Sequence, residues 1–309
     1  MRSGRIKYFI AAITSTVIWG FFSIPLRNLQ AYPSDQILHY RIFTSLIITW
    51  VFALLFRRKT IKEDINYLRE QSARKQKQLL MLTLAAGVLI TGNWFSFIYA
   101  VNNVSLKSAA FAYMVCPLIT ALGGFLILKE HLSKVKLLAI SIAVFSILIL
   151  TKGAFNDVLW SVFIAALYAF YLIIQRIIQH IDKFNMLAVQ LFISLFLMLP
   201  VYITNFSSFP TESYFWVNIV VISVVFTIIP LFLSMYALIG LSSSTLGIII
   251  YINPVIAFAV AFFYFNEEVN ILQVLAYSLL IIAVIIFNSG IISAFLKRVV
   301  PNHISKTAN

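Results

Sequence analysis

The chain has 309 residues, of which 61% are hydrophobic and 11% are charged, and its formal net charge is +13. A soluble protein of this length could not bury so much apolar surface. The composition therefore excludes a soluble globular enzyme and indicates a membrane protein.

Ten apolar runs follow one another along the chain, each long enough for a membrane-crossing helix. About 20 apolar residues cross about 30 Å of hydrocarbon. The runs lack the alternation of β-strands, so helices that satisfy their own backbone are expected. They cover residues 8–26, 36–56, 79–101, 107–128, 133–151, 156–175, 184–204, 214–238, 244–265 and 270–294. The predicted fold class is an all-α polytopic membrane protein with ten transmembrane helices.

The first run follows a short basic stretch, as the apolar part of a secretory signal does. It is longer than that part of a signal, and no cleavage site of the A-x-A kind follows it. We therefore expect it to remain as the first helix.

The basic residues predict an orientation. With a cytoplasmic N-terminus, 19 of the 23 Lys and Arg residues border the inner side, and only Arg27, Lys107 and Lys152 border the outer side. This bias predicts that both termini are cytoplasmic. The basic loop 57–78 is interpreted as a solvated topology signal that faces lipid headgroups; binding of nucleic acid or a regulatory lipid is the alternative.

The second half of the chain repeats the first at an offset of 137 residues, so that Pro117 matches Pro254 and Glu130 matches Glu267. The predicted units are residues 1–151, with loop 57–78, and residues 152–309, with a basic tail. Five helices are an odd number, so the second unit enters the membrane from the opposite side. Two inverted repeats are an architecture of secondary transporters, which exchange inward-open and outward-open shapes about a central site.

Three prolines lie inside predicted helices: Pro117 and Pro254 near the middle of the fourth and ninth, and Pro230 in the eighth. A proline frees the carbonyl four residues earlier, and in lipid that carbonyl needs a partner in protein or in a water-lined cavity. Pro117 and Pro254 are therefore predicted to be paired kinks that face a cavity. Ordinary membrane-helix prolines are the alternative.

Polar and aromatic side chains at similar depth are candidates for the cavity wall. An unpaired amide costs a few kcal/mol in hydrocarbon, so Asn93 is expected to face the interior. Aromatic residues in membrane helices also serve packing or interface belts. The candidate substrate-binding residues are Trp19, Phe22, Asn93, Trp94, Tyr113, Tyr168, Tyr171 and Asn253.

Charged residues inside or at the ends of the runs are few. Arg41 lies inside the second run, where it either snorkels to the outer interface or pairs with a substrate carboxylate or a structural carbonyl. Glu130 and Glu267 end the fourth and ninth helices, and inversion places them at opposite membrane faces. They are interpreted as boundary or gate-closing residues.

Motifs for enzymatic chemistry are missing. The sequence has no P-loop, HExxH, GxSxG or metal-ligand cluster. No enzyme activity, cofactor or metal is therefore expected. A carboxylate at mid-membrane depth is also missing, which makes a buried acid for a cationic drug or a proton relay hard to build. The lone Cys116 is interpreted as a small packing residue.

Several motifs together resemble the EamA-type transporters of the drug/metabolite transporter superfamily, and within them the RarD group. They are IWG at 18–20, SDQILHYR at 34–41, GNW at 92–94 with AVNN at 100–103, the P-x12-E spacing, and STLG at 244–247. The resemblance covers nearly the whole chain. It implies a ten-helix permease of the bacterial inner membrane, with a central cavity walled mainly by helices one, three, four, six, eight and nine. Cys116 and Asn253 differ between the two halves, so they need not have equivalent roles.

We expect a secondary carrier that moves a small neutral or zwitterionic organic solute outward by alternating access. Its partners are that solute and membrane lipids, without nucleic acid. The alternatives are a non-transporting regulatory or assembly protein of the membrane and an intramembrane enzyme. Substrate identity, direction, proton coupling and oligomeric state are left open by the sequence.

Overall fold

A computed structural model describes residues 4–103, 106–150, 155–204, 209–266, 271–290 and 293. The described residues contain helices and no strand. In the first half the helices are α1 (Gly4–Gly20), α2 (Ser23–Arg27), α3 (Ser34–Phe56), α4 (Arg58–Glu70), α5 (Ala73–Asn103), α6 (Leu106–Leu128) and α7 (Lys134–Leu150). In the second half they are α8 (Phe155–Ile177), α9 (Lys183–Thr204), α10 (Ser213–Ser223), α11 (Ile229–Gly240), α12 (Ser243–Ile249), α13 (Ile252–Phe263) and α14 (Ile271–Phe287).

Helices long and apolar enough to cross a membrane confirm the all-α membrane class. Six helical stretches meet that requirement in the described part of the chain, and three shorter apolar stretches accompany them. The six are Ile6–Arg27, Ser34–Phe56, Ala73–Phe97, Leu159–Ile177, Lys183–Thr204 and Ser213–Gly240. The number of ten spans and the two repeats stay predictions.

The basic loop 57–78 has more structure than its composition indicated, because α4 lies within it. The Arg57 guanidinium makes a 2.6 Å ion pair with Asp182, in the turn before α9. The Asp64 carboxylate accepts hydrogen bonds from the Asp182 backbone N–H at 3.0 Å and the Asn185 side-chain amide at 2.7 Å. Burial raises the pKa of Asp64. The loop is therefore a helix anchored at the start of α9 and not simply a solvated segment.

Helices of the two halves pack against each other throughout the bundle. In the described residues α6 packs against α8 and α12, α1 against α11 and α13, and α5 against α8 and α9. Two further contacts pair α3 with α9 and α7 with α14. The largest buried core includes aliphatic and aromatic residues from α1, α3, α5, α8, α9 and α11.

Helical interruptions occur at three places. The chain turns at residues 21–22 between α1 and α2, a π turn (Val224–Ile228) lies between α10 and α11, and residues 250–251 separate α12 from α13. π turns often occur at functional sites, because they free backbone groups and re-aim side chains. These interruptions direct attention to the groups around them.

Candidate functional site

The carbonyl freed by Pro230 has a partner. Proline has no N–H, so the Phe226 carbonyl loses its donor within the helix. The indole nitrogen of Trp19 donates to that carbonyl at 2.9 Å, and the Ser15 hydroxyl donates to the Pro230 carbonyl at 2.8 Å. The predicted site residue Trp19 thus joins α1 to the π turn through a backbone group that only a broken helix offers.

Arg41 of α3 also reaches the π turn. Its Nε donates to the Thr227 hydroxyl at 2.7 Å, and that hydroxyl donates to the Ile222 carbonyl at 2.9 Å. The guanidinium carbon lies 4.9 Å from the centre of the Trp94 ring and 5.2 Å from the centre of the Phe22 ring. Arg41 is therefore held between helices inside the bundle, a different arrangement from snorkelling along its own helix.

The predicted aromatic residues form a connected group. The ring centres of Trp19 and Tyr168 are 5.9 Å apart, and those of Tyr168 and Tyr171 are 5.8 Å apart. Tyr113 packs on Phe97 at 5.4 Å and interacts electrostatically with Arg41. Five predicted aromatic residues and Arg41 are thus near one another where the two halves meet; the sixth, Phe22, joins them through Arg41.

A small space lies between α5, α8, α9 and α11. It has no room for a water molecule. Its lining residues are Ile90, Trp94, Tyr171, Leu187, Gln190, Leu191, Ser194 and Leu231. Trp94 therefore contacts Arg41 and also borders this space, whose closure shows that these helices are packed together in this structure.

Polar groups beside this space were missed by sequence reasoning. The Gln190 side-chain oxygen accepts from the Tyr171 hydroxyl at 3.3 Å and from the Gln175 amide at 2.9 Å. The Gln190 side-chain nitrogen is buried without a hydrogen-bond partner. Thr91 and Ser194 share a 2.7 Å hydrogen bond next to it. The signal for Gln190 in the sequence is an uncharged amide inside an apolar run, the same feature that predicted a buried position for Asn93.

Asn93 and Asn253 both donate hydrogen bonds to backbone carbonyls. The buried Asn93 amide donates to the Ile164 carbonyl of α8 at 2.9 Å. This bond ties α5 to α8. Asn253 is buried, and its backbone N–H donates to the Ile250 carbonyl at 3.0 Å. That bond supplies a donor for the carbonyl that Pro254 leaves without its usual helical partner.

The two repeat-related prolines differ in their surroundings. Pro117 lies inside α6, which continues as a helix on both sides of it. Pro254 instead follows the break between α12 and α13. Of the two prolines, Pro254 accompanies an interruption of the described helices and Pro117 does not; that both are paired kinks facing a cavity stays a prediction.

Glu130 joins the end of α6 to the beginning of α12. Lys129 adopts a left-handed backbone with φ of 53°, and the Glu130 N–H donates to the Gly124 carbonyl at 3.1 Å, which closes the end of α6. The Glu130 carboxylate then accepts from the backbone N–H groups of Ser243 at 2.7 Å and Ser244 at 3.0 Å, and from both hydroxyls. We call this arrangement the Glu130 clasp. Its predicted counterpart Glu267 lies outside the described residues.

The chemistry available at these groups is binding and conformational exchange. Among the described residues, no group of three His, Cys, Asp or Glu side chains could hold a metal ion. What the structure does offer is one cation among aromatic rings, a buried polar group around Gln190, and a carboxylate that ties two helices together. The class that the fold defines is a helical membrane protein.

Comparison with known proteins defines the family. The model of the EamA-like transporter family matches residues 6–152 and 157–289, so the chain belongs to that family. Protein RarD of Escherichia coli K12 is 26% identical over 286 residues, which are 90% of this chain and 92% of that protein. An uncharacterized transporter of Pseudomonas aeruginosa is 27% identical over 291 residues, 91% and 92% of the two chains. The family and its relatives indicate a membrane transporter and not an enzyme.

A solved crystal structure has the same fold. It superimposes with a TM-score of 0.73 at 13% identity and covers 94% of this chain and 99% of its own. At this identity the likeness concerns the fold alone. It agrees with the all-helical architecture described above.

Proposed function

We propose that this protein is a secondary transporter that moves a small neutral or zwitterionic organic solute across the bacterial inner membrane by alternating access, in the outward direction. Amino acids and other small metabolites or drugs are the substrate class. The observation that carries the proposal is the group formed by Trp19, Trp94, Tyr168, Tyr171 and Arg41, which come from both halves of the chain and meet inside the bundle.

Alternating access is proposed to rest on two inverted five-helix repeats. The two separate matches of the family model support this, since each covers one half of the chain. The packing supports it too. Under the repeat, α1 corresponds to α8 and α5 corresponds to α11, so the contact of α1 with α11 has its counterpart in the contact of α8 with α5. Lys129 and Asn266, 137 residues apart, both have a φ of 53°, so the turns after the fourth and ninth predicted helices share a backbone conformation.

The Glu130 clasp is proposed to be the gate at one end of the bundle. This is the end with loop 57–78, which we call the basic end. A carboxylate that accepts two backbone N–H bonds at a helix start makes strong but exchangeable hydrogen bonds. Closure would hold α6 against α12, and release would let these helices separate. Under the predicted orientation, with both termini cytoplasmic, this gate faces the cytoplasm.

Solute flux into vesicles that contain only the purified chain tests the proposal. Vesicles preloaded with an unlabelled mixture of amino acids should accumulate labelled amino acid by exchange, whereas protein-free vesicles should not. A Trp19→Ala variant of equal vesicle content should exchange more slowly, because it removes the indole that holds the π turn. Absence of flux across a broad solute panel would favour the non-transporting regulatory or assembly protein.

A further inference from the structure

Among the described residues, no carboxylate forms an ion pair with Arg41, whose positive charge lies inside the bundle. The ion pairs formed among the described residues include Arg57 with Asp182 and Lys59 with Glu63, and both involve loop 57–78. The side-chain partners of Arg41 are instead the Thr227 hydroxyl and two aromatic rings. An unpaired charge away from water is costly, so a charge kept in this position calls for a negative partner.

The geometry leaves the terminal part of the guanidinium available. Its Nε bonds Thr227, whereas its two terminal nitrogens have no hydrogen-bond partner among the described residues, and the residue is half-buried. A planar guanidinium presents its free N–H groups as a fork that matches the two oxygens of a carboxylate. The bond from Nε to Thr227 fixes the direction of that fork.

The groups around Arg41 favour an organic anion as its partner. The ring centres of Trp94 and Phe22 lie 4.9 and 5.2 Å from the guanidinium carbon, and the two rings supply apolar faces. No Asp or Glu side chain of the described residues pairs with Arg41, so the guanidinium is free to pair with a carboxylate of a solute.

We infer that Arg41, oriented by Thr227 and flanked by Trp94 and Phe22, binds the carboxylate of the transported solute. This inference rests on the proposed transport function and specifies the group that is recognised, one carboxylate; it keeps the zwitterions of that proposal and adds anionic monocarboxylates. Zwitterionic amino acids and organic monocarboxylates share the group that Arg41 recognises.

Binding to the purified full-length chain tests the inference without any transport. The probes are phenylacetate, its neutral analogue phenylacetamide and the zwitterion phenylalanine, each followed by tryptophan fluorescence. Phenylacetate or phenylalanine should cause a saturable change, and phenylacetamide should bind far more weakly. Phenylacetate alone would assign monocarboxylates, and phenylalanine alone would assign amino acids; either result supports the site.

Arginine variants locate the effect. Arg41→Gln should weaken carboxylate binding by at least about tenfold, since it removes charge-assisted hydrogen bonds. Arg41→Lys should keep part of the affinity, because the charge stays and the fork is lost. Arg27→Gln is the matched control: Arg27 also lies over an aromatic ring, 3.8 Å from the centre of Phe265, and its replacement should leave binding unchanged. If Arg41→Gln fails to fold, Thr227→Val should still weaken binding by misdirecting the fork.

Unchanged carboxylate binding in folded Arg41→Gln, equal binding of phenylacetamide, or no binding of either carboxylate to the unaltered chain would overturn the site. These results are separate from a failure of the proposed function. Flux that continues in Arg41→Gln with unchanged affinity would refute the site and leave the transporter. Carboxylate binding lost in Arg41→Gln, but without flux in the unaltered chain, would keep the site and refute the transporter.

Discussion

Two stretches of related sequence carry a proline at the same place, yet they have different backbones. Helix α6 passes through Pro117 without interruption, whereas α12 and α13 are separate helices before Pro254. A proline removes one backbone donor in either case. The difference shows that the missing donor does not by itself decide whether a membrane helix breaks.

Neighbouring groups differ between the two stretches. In α6 the Thr120 hydroxyl bonds the Cys116 carbonyl at 2.8 Å, and Gly247 of α12 packs closely against the Pro117 carbonyl and Thr120. In the second stretch the Ile250 carbonyl turns to accept the Asn253 N–H at 3.0 Å, a three-residue turn that ends α12. Helix α6 is packed closely against α12 near Pro117, whereas the second stretch forms a new backbone hydrogen bond at its break.

The largest effect is expected where these two stretches are joined, at the Glu130 clasp. Glu130→Ala removes every acceptor that the carboxylate offers to Ser243 and Ser244, and charge-assisted bonds contribute about 1.5–3 kcal/mol each. Transport should fall at least about tenfold, and the basic end should open. A cysteine at the buried Ala121, in a Cys116→Ala background, should then react faster with an impermeant maleimide.

The control for the clasp is Glu212→Ala. Glu212 accepts a 2.7 Å hydrogen bond from the Tyr32 hydroxyl at the opposite end of the bundle. This variant should leave the labelling of the cysteine at position 121 unchanged. Equal acceleration by both variants would mean that the bundle loosens in general and that Glu130 is not a gate.

The prolines themselves should have unequal effects. Pro254→Ala can restore a helical hydrogen bond across a real break, so we expect stability to rise by about 1 kcal/mol and turnover to slow. Pro117→Ala changes a helix that is already continuous and should slow turnover less. Exchange rates and melting temperatures of the two variants measure this order. A larger effect of Pro117→Ala on turnover would reverse the comparison.

Close packing between the stretches is tested at Gly247. A Cβ there would lie 2.8 Å from the Thr120 Cβ and 3.2 Å from the Pro117 carbonyl oxygen. Gly247→Ala should therefore destabilise the protein by about 1–3 kcal/mol through overpacking, measured by thermal melting. Gly290→Ala is the matched control, because a Cβ at Gly290 would meet no atom within 4 Å. A melting temperature unchanged by both would remove the support that we assign to Gly247.

Asn93 is expected to give the smallest effect. Its 2.9 Å bond to the Ile164 carbonyl ties α5 to α8, which packs against α6. Loss of one such interhelical bond in a membrane costs about 0.6 kcal/mol on average. Asn93→Leu should lower the melting temperature slightly. A large loss of transport at equal membrane level would instead place Asn93 in contact with the solute, as the sequence predicted.

The class of this protein follows from its amino-acid sequence alone. Apolar runs of membrane-crossing length, the absence of strand alternation and the motifs GNW and P-x12-E were enough for the helical membrane class and the EamA family, both of which are confirmed. These properties depend on composition and on spacing along one helix. Such information is local, so it can be read from the sequence without knowing how the helices pack.

Tertiary structure decided which groups meet. The sequence indicated Trp19, Tyr168 and Arg41 as site residues, but it did not indicate their partners. Trp19 bonds the Phe226 carbonyl, which is free because of Pro230, a residue 211 positions after Trp19. Arg41 bonds Thr227. The Gln190 group and the Glu130 clasp were hidden for the same reason. A hydrogen bond between helices depends on how each helix is rotated and broken, and the packing of its neighbours sets both.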